Sequence, residues 1–148
     1  MAVTISIAGL ADSESLADAL VGLVPQLSRS NPPPSLEAVR VMLAHEAITQ
    51  FIARDGEGLI VGVATLAVFP IPTGSRAWIE DVIVDESSGG QGIGGQLVRA
   101  MLERARELAC VTVDLTSRPD RAAANGLYRK LGFEQRDTNV YRFDLRAH

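Results

Sequence analysis

Apolar and polar residues alternate over residues 3–7, the period of a short half-buried strand. Leu16, Leu20, Leu23 and Val24 then recur at helical spacing behind Asp12 or Ser13, either of which can cap the helix. The stretch Ser28-Arg29-Ser30-Asn31-Pro32-Pro33-Pro34 breaks the pattern. Prolines lack an amide proton and stiffen the backbone, so an exposed, semi-rigid connector is expected. Ser35 caps a second predicted helix with Leu36, Val39, Leu43 and Ala47 on one face, and His45 is expected on that helix near Glu46. From residue 48 the pattern turns to strands: 48–53, a turn at 55–58, a long strand over 59–69, a proline and glycine turn, and a strand over 77–84. A glycine-rich segment, 87–95, leads into a helix with Ile93, Leu97, Met101, Ala105 and Leu108 on its buried stripe and Gln96, Arg99, Glu103 and Arg106 facing water. A strand over 111–115, a short helix over 120–131 ending at Gly132, and a last strand over 140–145 complete the chain. Consecutive strands in the middle imply hairpins. The expected fold is therefore α/β (α+β by stricter bookkeeping): a mixed, mostly antiparallel central sheet with helices on both faces.

The 148 residues, with no repeat or linker, read as one domain, 1–148. A net charge of −4 argues against a dedicated nucleic-acid binder, although Arg118, Arg121, Arg129, Lys130 and Arg136 allow one local positive patch. Neither the chain's start nor its longest apolar run, 59–69, suits a signal peptide or a membrane span, so a cytoplasmic protein without a membrane partner is expected. The single cysteine, Cys110, excludes an intramolecular disulfide and reads as a small core residue. No residue cluster has metal-ligand spacing, and no metal is expected. His148 is the chain end. Trp78 reads as core or cleft wall.

The informative segment is Val84-Asp85-Glu86-Ser87-Ser88-Gly89-Gly90-Gln91-Gly92-Ile93-Gly94-Gly95. Glycines let backbone amides approach a ligand, and a helix opening directly behind them adds unpaired N–H groups and a positive dipole end. That is an anion site suited to a pyrophosphate. A Walker-type loop fails for want of its lysine. A dinucleotide reading can use Gly90, Gly92 and Gly95 as GxGxxG with Asp114 beyond, but Asp85 to Ser88 separate strand from glycines where that fingerprint wants a tight turn. A glycine turn without a ligand is the third alternative.

A second segment decides among them: Ala124-Asn125-Gly126-Leu127-Tyr128-Arg129-Lys130-Leu131-Gly132-Phe133. Together the two segments resemble the GCN5-related N-acetyltransferase (GNAT) family. Val82-Ile83-Val84 followed by Gly89-Gly90-Gln91-Gly92-Ile93-Gly94 matches that family's strand and Arg/Gln-x-x-Gly-x-Gly/Ala loop, with Gly89 where the family has Arg or Gln. The later segment looks like its Asn-x-x-Tyr/Phe-x-x-x-Gly-Phe signature.

The resemblance implies transfer of an acetyl group from acetyl-CoA to a primary amine. It implies that Gly89, Gly90, Gln91, Gly92, Ile93, Gly94 and Gly95 grip the phosphates, and that backbone amides of Val82, Ile83 and Val84 pair with the pantetheine arm. Gly89 is expected to weaken that grip. Tyr128 is the candidate acid for the leaving thiolate, and Asn125, three residues earlier on the same helical face, the candidate for the pantetheine amides. Glu80 is the candidate base, with adjacent Asp81 on the opposite side of the strand or water as alternatives. The expected partner is a small-molecule amine entering between connector 28–35 and turn 70–75, and homodimers, common in the family, are a further expectation. A hint of amino-sugar acetyltransferases lies in Ile79-Glu80-Asp81-Val82. A non-catalytic acyl-CoA-binding module stays open beside the enzyme because of Gly89.

Overall fold

The computed structural model describes residues 2–147. They form two compact units, divided between Thr116 and Ser117. In the first, five strands lie in the order β1 (Thr4–Ile7), β2 (Ile48–Arg54), β3 (Ile60–Ile71), β4 (Gly74–Val84) and β5 (Thr112–Asp114). The first four pair antiparallel with their neighbours, and β5 pairs parallel to β4. Three helices accompany the sheet: α1 (Ser13–Leu27), α2 (Leu36–Ala44) and α3 (Ile93–Glu107). The parallel pair needs a crossover, and α3 supplies it. Antiparallel pairing over β1 to β4 is incompatible with the wholly parallel sheet that a dinucleotide fold requires.

Register assigns each residue to a face. On one face Ile52, Val63 and Ile83 join Leu16, Leu20, Leu23 and Val39 of α1 and α2 in one buried cluster. On the other face lie Phe51, Ala53, Ala64, Leu66, Ala77 and Ile79, all buried. Here α3 packs, its Ile93, Leu97, Met101 and Ala105 buried as the helical stripe foretells. Gly62 allows that approach: a Cβ there would lie 3.2 Å from Ile93 and 3.3 Å from Leu97. Burying such a side chain stabilises by about 1.5–3 kcal/mol, so Leu97→Ala at this fully buried position costs about 2–5 kcal/mol.

Several ends differ from the pattern. Leu108 caps α3 and is exposed, because the helix stops at Glu107 one residue before the stripe would return. Ser35 does cap α2, its hydroxyl accepting from the Ala38 amide. Yet α2 ends at Ala44, so His45 is a C-cap and Ala47 lies beyond the helix. The His45 Nδ1 instead accepts the Ala47 amide and turns the chain into β2.

The second unit holds α4 (Ala122–Lys130), which ends before Gly132 at φ +100°. The strand expected over 140–145 is not formed. Val140, Tyr141, Phe143 and Leu145 are 70–87% exposed, so the alternation is present without the burial of one face that a sheet strand has. No helix among the described residues is long and apolar enough to cross a membrane.

Candidate active site

Between β4 and α3 the backbone donors divide into two groups. Asp85 starts a 3₁₀ turn, Glu86–Ser88, its side chain accepting the Ser87 amide and its carbonyl the Ser88 amide. The Glu86 amide donates to Gln26 Oε1 of α1 at 3.0 Å, and the Gly89 amide to the Glu86 carbonyl at 3.1 Å. These four donors are spent on holding the loop. The first bond of α3 runs from Gln96 N–H to the Gly92 carbonyl. The amides of residues 90–95 lie between, with no backbone acceptor among the described residues. With no acidic side chain in the first turn of α3, they form a cradle at the positive end of a 15-residue helix.

Two glycines are required there by conformation rather than space. Gly90 and Gly92 have φ of +80° and +74°, where side chains are strained, yet nothing lies within 4 Å of a Cβ at either. Gly89 differs. Its φ of −63° suits any residue, and a Cβ there would lie 3.2 Å from the Glu86 carbonyl oxygen. The structure thus fits a diphosphate at residues 90–95, with Gly89 contributing an anchored backbone.

The neighbouring stretch of β4 is irregular. Thr65 faces Glu80 and Val63 faces Ile83, so Asp81 and Val82 together oppose the single residue Ala64. This is a β-bulge, and Asp81 sits in it at φ +49°. Such a backbone costs about 1–3 kcal/mol for a non-glycine residue and gathers at functional sites. On its other edge β4 meets β5 only over Arg76, Ala77 and Trp78. Among the described residues, 79–84 therefore have a sheet partner on the β3 side alone, which leaves one strand edge, Val82 to Val84 included, for another hydrogen-bonding chain.

Glu80 is exposed, and its Oε1 accepts the Trp78 indole N–H at 2.7 Å. Trp78 is half-buried and holds the carboxylate in one orientation, leaving Oε2 without a partner among the described residues. The Trp78–Glu80 bond escaped the sequence reading, although i, i+2 spacing on a strand was its signal.

In the second unit, Asn125 and Tyr128 stand three residues apart on α4 and are both half-buried. Asn125 Nδ2 donates to the Arg118 carbonyl at 2.9 Å, tying down the turn before the helix and leaving Oδ1 as an acceptor. The Tyr128 ring meets Phe133 edge-to-face, centroids 5.7 Å apart. Burial pushes the phenol above its ordinary value of about 10, against a smaller lowering by Arg121.

The connector after α1 borders an open depression of about 700 Å³, lined by Gln26, Arg29, Asn31, Pro32 and Glu86 among others. Cys110 is half-buried, and no group of three His, Cys, Asp or Glu among the described residues could hold a metal.

Comparison with known proteins agrees with this geometry. The acetyltransferase (GNAT) family model matches residues 22–133. Glucosamine 6-phosphate N-acetyltransferase 1 of Oryza sativa subsp. japonica is 31% identical over 134 residues, covering 81% of this chain and 76% of its own. Glucosamine 6-phosphate N-acetyltransferase of Trypanosoma brucei brucei is 37% identical over 101 residues, 66% of either chain. The solved structure of a Trypanosoma brucei acetyltransferase superposes with a TM-score of 0.78 at 28% identity, over 97% of this chain and 100% of its own. With a family match that spans three quarters of its length, over both the amide cradle and the Asn125–Tyr128 helix, the chain belongs to the acetyltransferase (GNAT) family.

Proposed function

We propose that the chain is an acetyl-CoA-dependent N-acetyltransferase acting on a small primary amine, working as one domain over 1–148. The observation that carries this reading is the cradle of amides 90–95 beside a strand edge whose pairing with β5 stops at Trp78. Phosphates suit the first and an extended amide-bearing arm the second. A thioester is already activated toward an amine, so the chemistry needs no metal.

In this proposal Glu80 Oε2 takes the proton of the incoming ammonium, directly or through a water. The freed amine nitrogen attacks the thioester carbon, backbone N–H groups of the Val82–Ile83–Val84 edge polarise the carbonyl, and the carbon–sulfur bond breaks. The Tyr128 phenol gives its proton to the departing thiolate. The phenol keeps its proton throughout the neutral range and so has one to give. Asn125 Oδ1 accepts from a pantetheine amide. A small-molecule acceptor is supported by relatives whose names specify glucosamine 6-phosphate. We also propose a cytoplasmic setting, in keeping with a chain whose one cysteine offers no intramolecular disulfide, and a homodimer.

Calorimetric titration with acetyl-CoA, with NAD as control, tests the reading. Saturable binding of acetyl-CoA alone, followed by thiol release on adding amines, is expected. Preference for NAD, or binding of acetyl-CoA without thiol release across a broad amine panel, overturns it; the second result leaves the non-catalytic module.

A further inference from the structure

The sheet face that carries Glu80 also carries a polar row the catalytic reading does not use. Gln50 on β2 faces Thr65 on β3, and Thr65 faces Glu80 on β4. The three side chains thus share one face, with neighbouring Cβ atoms about 4.5–5.5 Å apart. Apolar rows flank them: Ile52, Val63 and Ile83 on one side, and Ile48, Ala67 and Trp78 on the other.

Hydrogen bonds fix the direction of the row. Gln50 is only 4% exposed, and its Nε2 donates to the Ala64 carbonyl at 3.1 Å and the Phe51 carbonyl at 3.3 Å. Its Oε1 is therefore the end turned to Thr65, whose hydroxyl donates to it at 2.7 Å. With that proton committed, Thr65 Oγ1 has only lone pairs to offer. Glu80, whose Oε1 already accepts from Trp78, likewise offers an oxygen and no proton. A buried carboxamide has turned two adjacent positions into acceptors.

We propose that Thr65, oriented by Gln50, is a specificity-determining residue for the acceptor. It binds a second hydrogen-bond donor next to the amine, so that the enzyme prefers vicinal amino alcohols to plain alkyl amines. The inference rests on the acetyltransferase reading with Glu80 toward the ammonium. Two acceptor oxygens on adjacent strands match a substrate whose ammonium and hydroxyl stand on adjacent carbons. A plain amine leaves Thr65 Oγ1 unsatisfied, and a substrate presenting an acceptor there is repelled by both oxygens.

The test compares trans-2-aminocyclohexanol with cyclohexylamine, using the full chain and saturating acetyl-CoA. The expected kcat/KM preference for the amino alcohol is on the order of tenfold, carried mainly by KM because the contact forms in the ground state. Thr65→Val keeps the shape but removes the hydroxyl, and should abolish the preference, bringing the kcat/KM ratio of the two amines to about one. Thr65→Ser should restore it, which a merely structural role for the side chain would not require. Should Thr65→Val fail to fold, the wild-type ratio and Thr65→Ser still decide. Equal kcat/KM for the two amines, or a preference that survives in Thr65→Val, overturns the proposal while the enzyme stands. Turnover of neither these nor any other amine overturns both.

Discussion

The glycine loop and helix α4 carry the two sequence motifs in opposite ways. Residues 90–95 offer backbone amides, so what matters there is whether the chain can hold φ values of +80° and +74° at Gly90 and Gly92. Helix α4 has an ordinary backbone, and what it offers is two side-chain ends, the Asn125 amide oxygen and the Tyr128 hydroxyl. A motif of one kind is damaged by adding atoms and the other by removing them. Substitutions can therefore be ranked by which kind they touch, and the ranking is testable.

The largest effects belong to proton transfer. Tyr128→Phe keeps the ring and its contact with Phe133 but removes the proton, and kcat should fall about 10²-fold or more with little change in acetyl-CoA affinity. Glu80→Gln should cost a similar factor, measured by thiol release. The phenol also sets a pH signature. Its folded pKa lies above about 10, so any alkaline limb of kcat that it controls lies above that pH and is absent from Tyr128→Phe. The linkage has the same sign: the neutral phenol is favoured by folding, so this contribution to stability is full below pH 10 and is lost as pH rises through the folded value. Alkaline unfolding should thus be shallower in Tyr128→Phe. An unchanged kcat in that variant would return Tyr128 to a packing role.

Next in size are additions to the loop. Gly92→Ala places a side chain at φ +74° with open space around it, so strain acts without a clash. At about 1–2 kcal/mol for a left-handed residue, acetyl-CoA affinity should drop about 5- to 30-fold while kcat at saturation is nearly kept. Equal affinity in Gly92→Ala would show that the cradle is not the binding site. Asn125→Ala should do less than Tyr128→Phe on α4, raising KM for acetyl-CoA about 3- to 10-fold, and it also releases the Arg118 carbonyl.

Which parts could be read from residue order follows the same division. Glycines before a helix announce an amide cradle because the information is local: helix start, missing side chains and loop length all lie in one segment. The bulge at Asp81 is different. Ile79 and Ile83 are four apart and would share a face in a regular strand, yet they lie on opposite faces because Asp81 and Val82 oppose one residue of β3. Only the paired strand reveals the slip. Gln50 and Thr65 were visible as polar residues inside apolar strands, but their meeting depends on the register of two strands. Residues 140–145 teach the converse: they alternate as well as residues 4–7 do, and only the latter form a strand, paired with β2. A strand belongs to a pair, and one segment's pattern cannot supply the other.

The smallest expected effect is the most pointed, because Gly89 stands where the two kinds of motif overlap. The family places a long polar side chain there, and this chain keeps only the backbone, whose amide is already spent on Glu86. Since φ is −63°, Gly89→Arg meets no conformational penalty, only a Cβ 3.2 Å from the Glu86 carbonyl, which must yield by a few tenths of an ångström. Against that stands a guanidinium near a diphosphate, worth about 0.3–1 kcal/mol where solvent screens it. Acetyl-CoA should bind about two- to fivefold tighter in Gly89→Arg at low ionic strength, the gain shrinking toward 1 M salt as the Debye length falls to about 3 Å. Weaker binding at every salt concentration would mean that the Glu86 carbonyl does not yield. The loop would then be built around glycine at this position, holding its ligand by backbone alone.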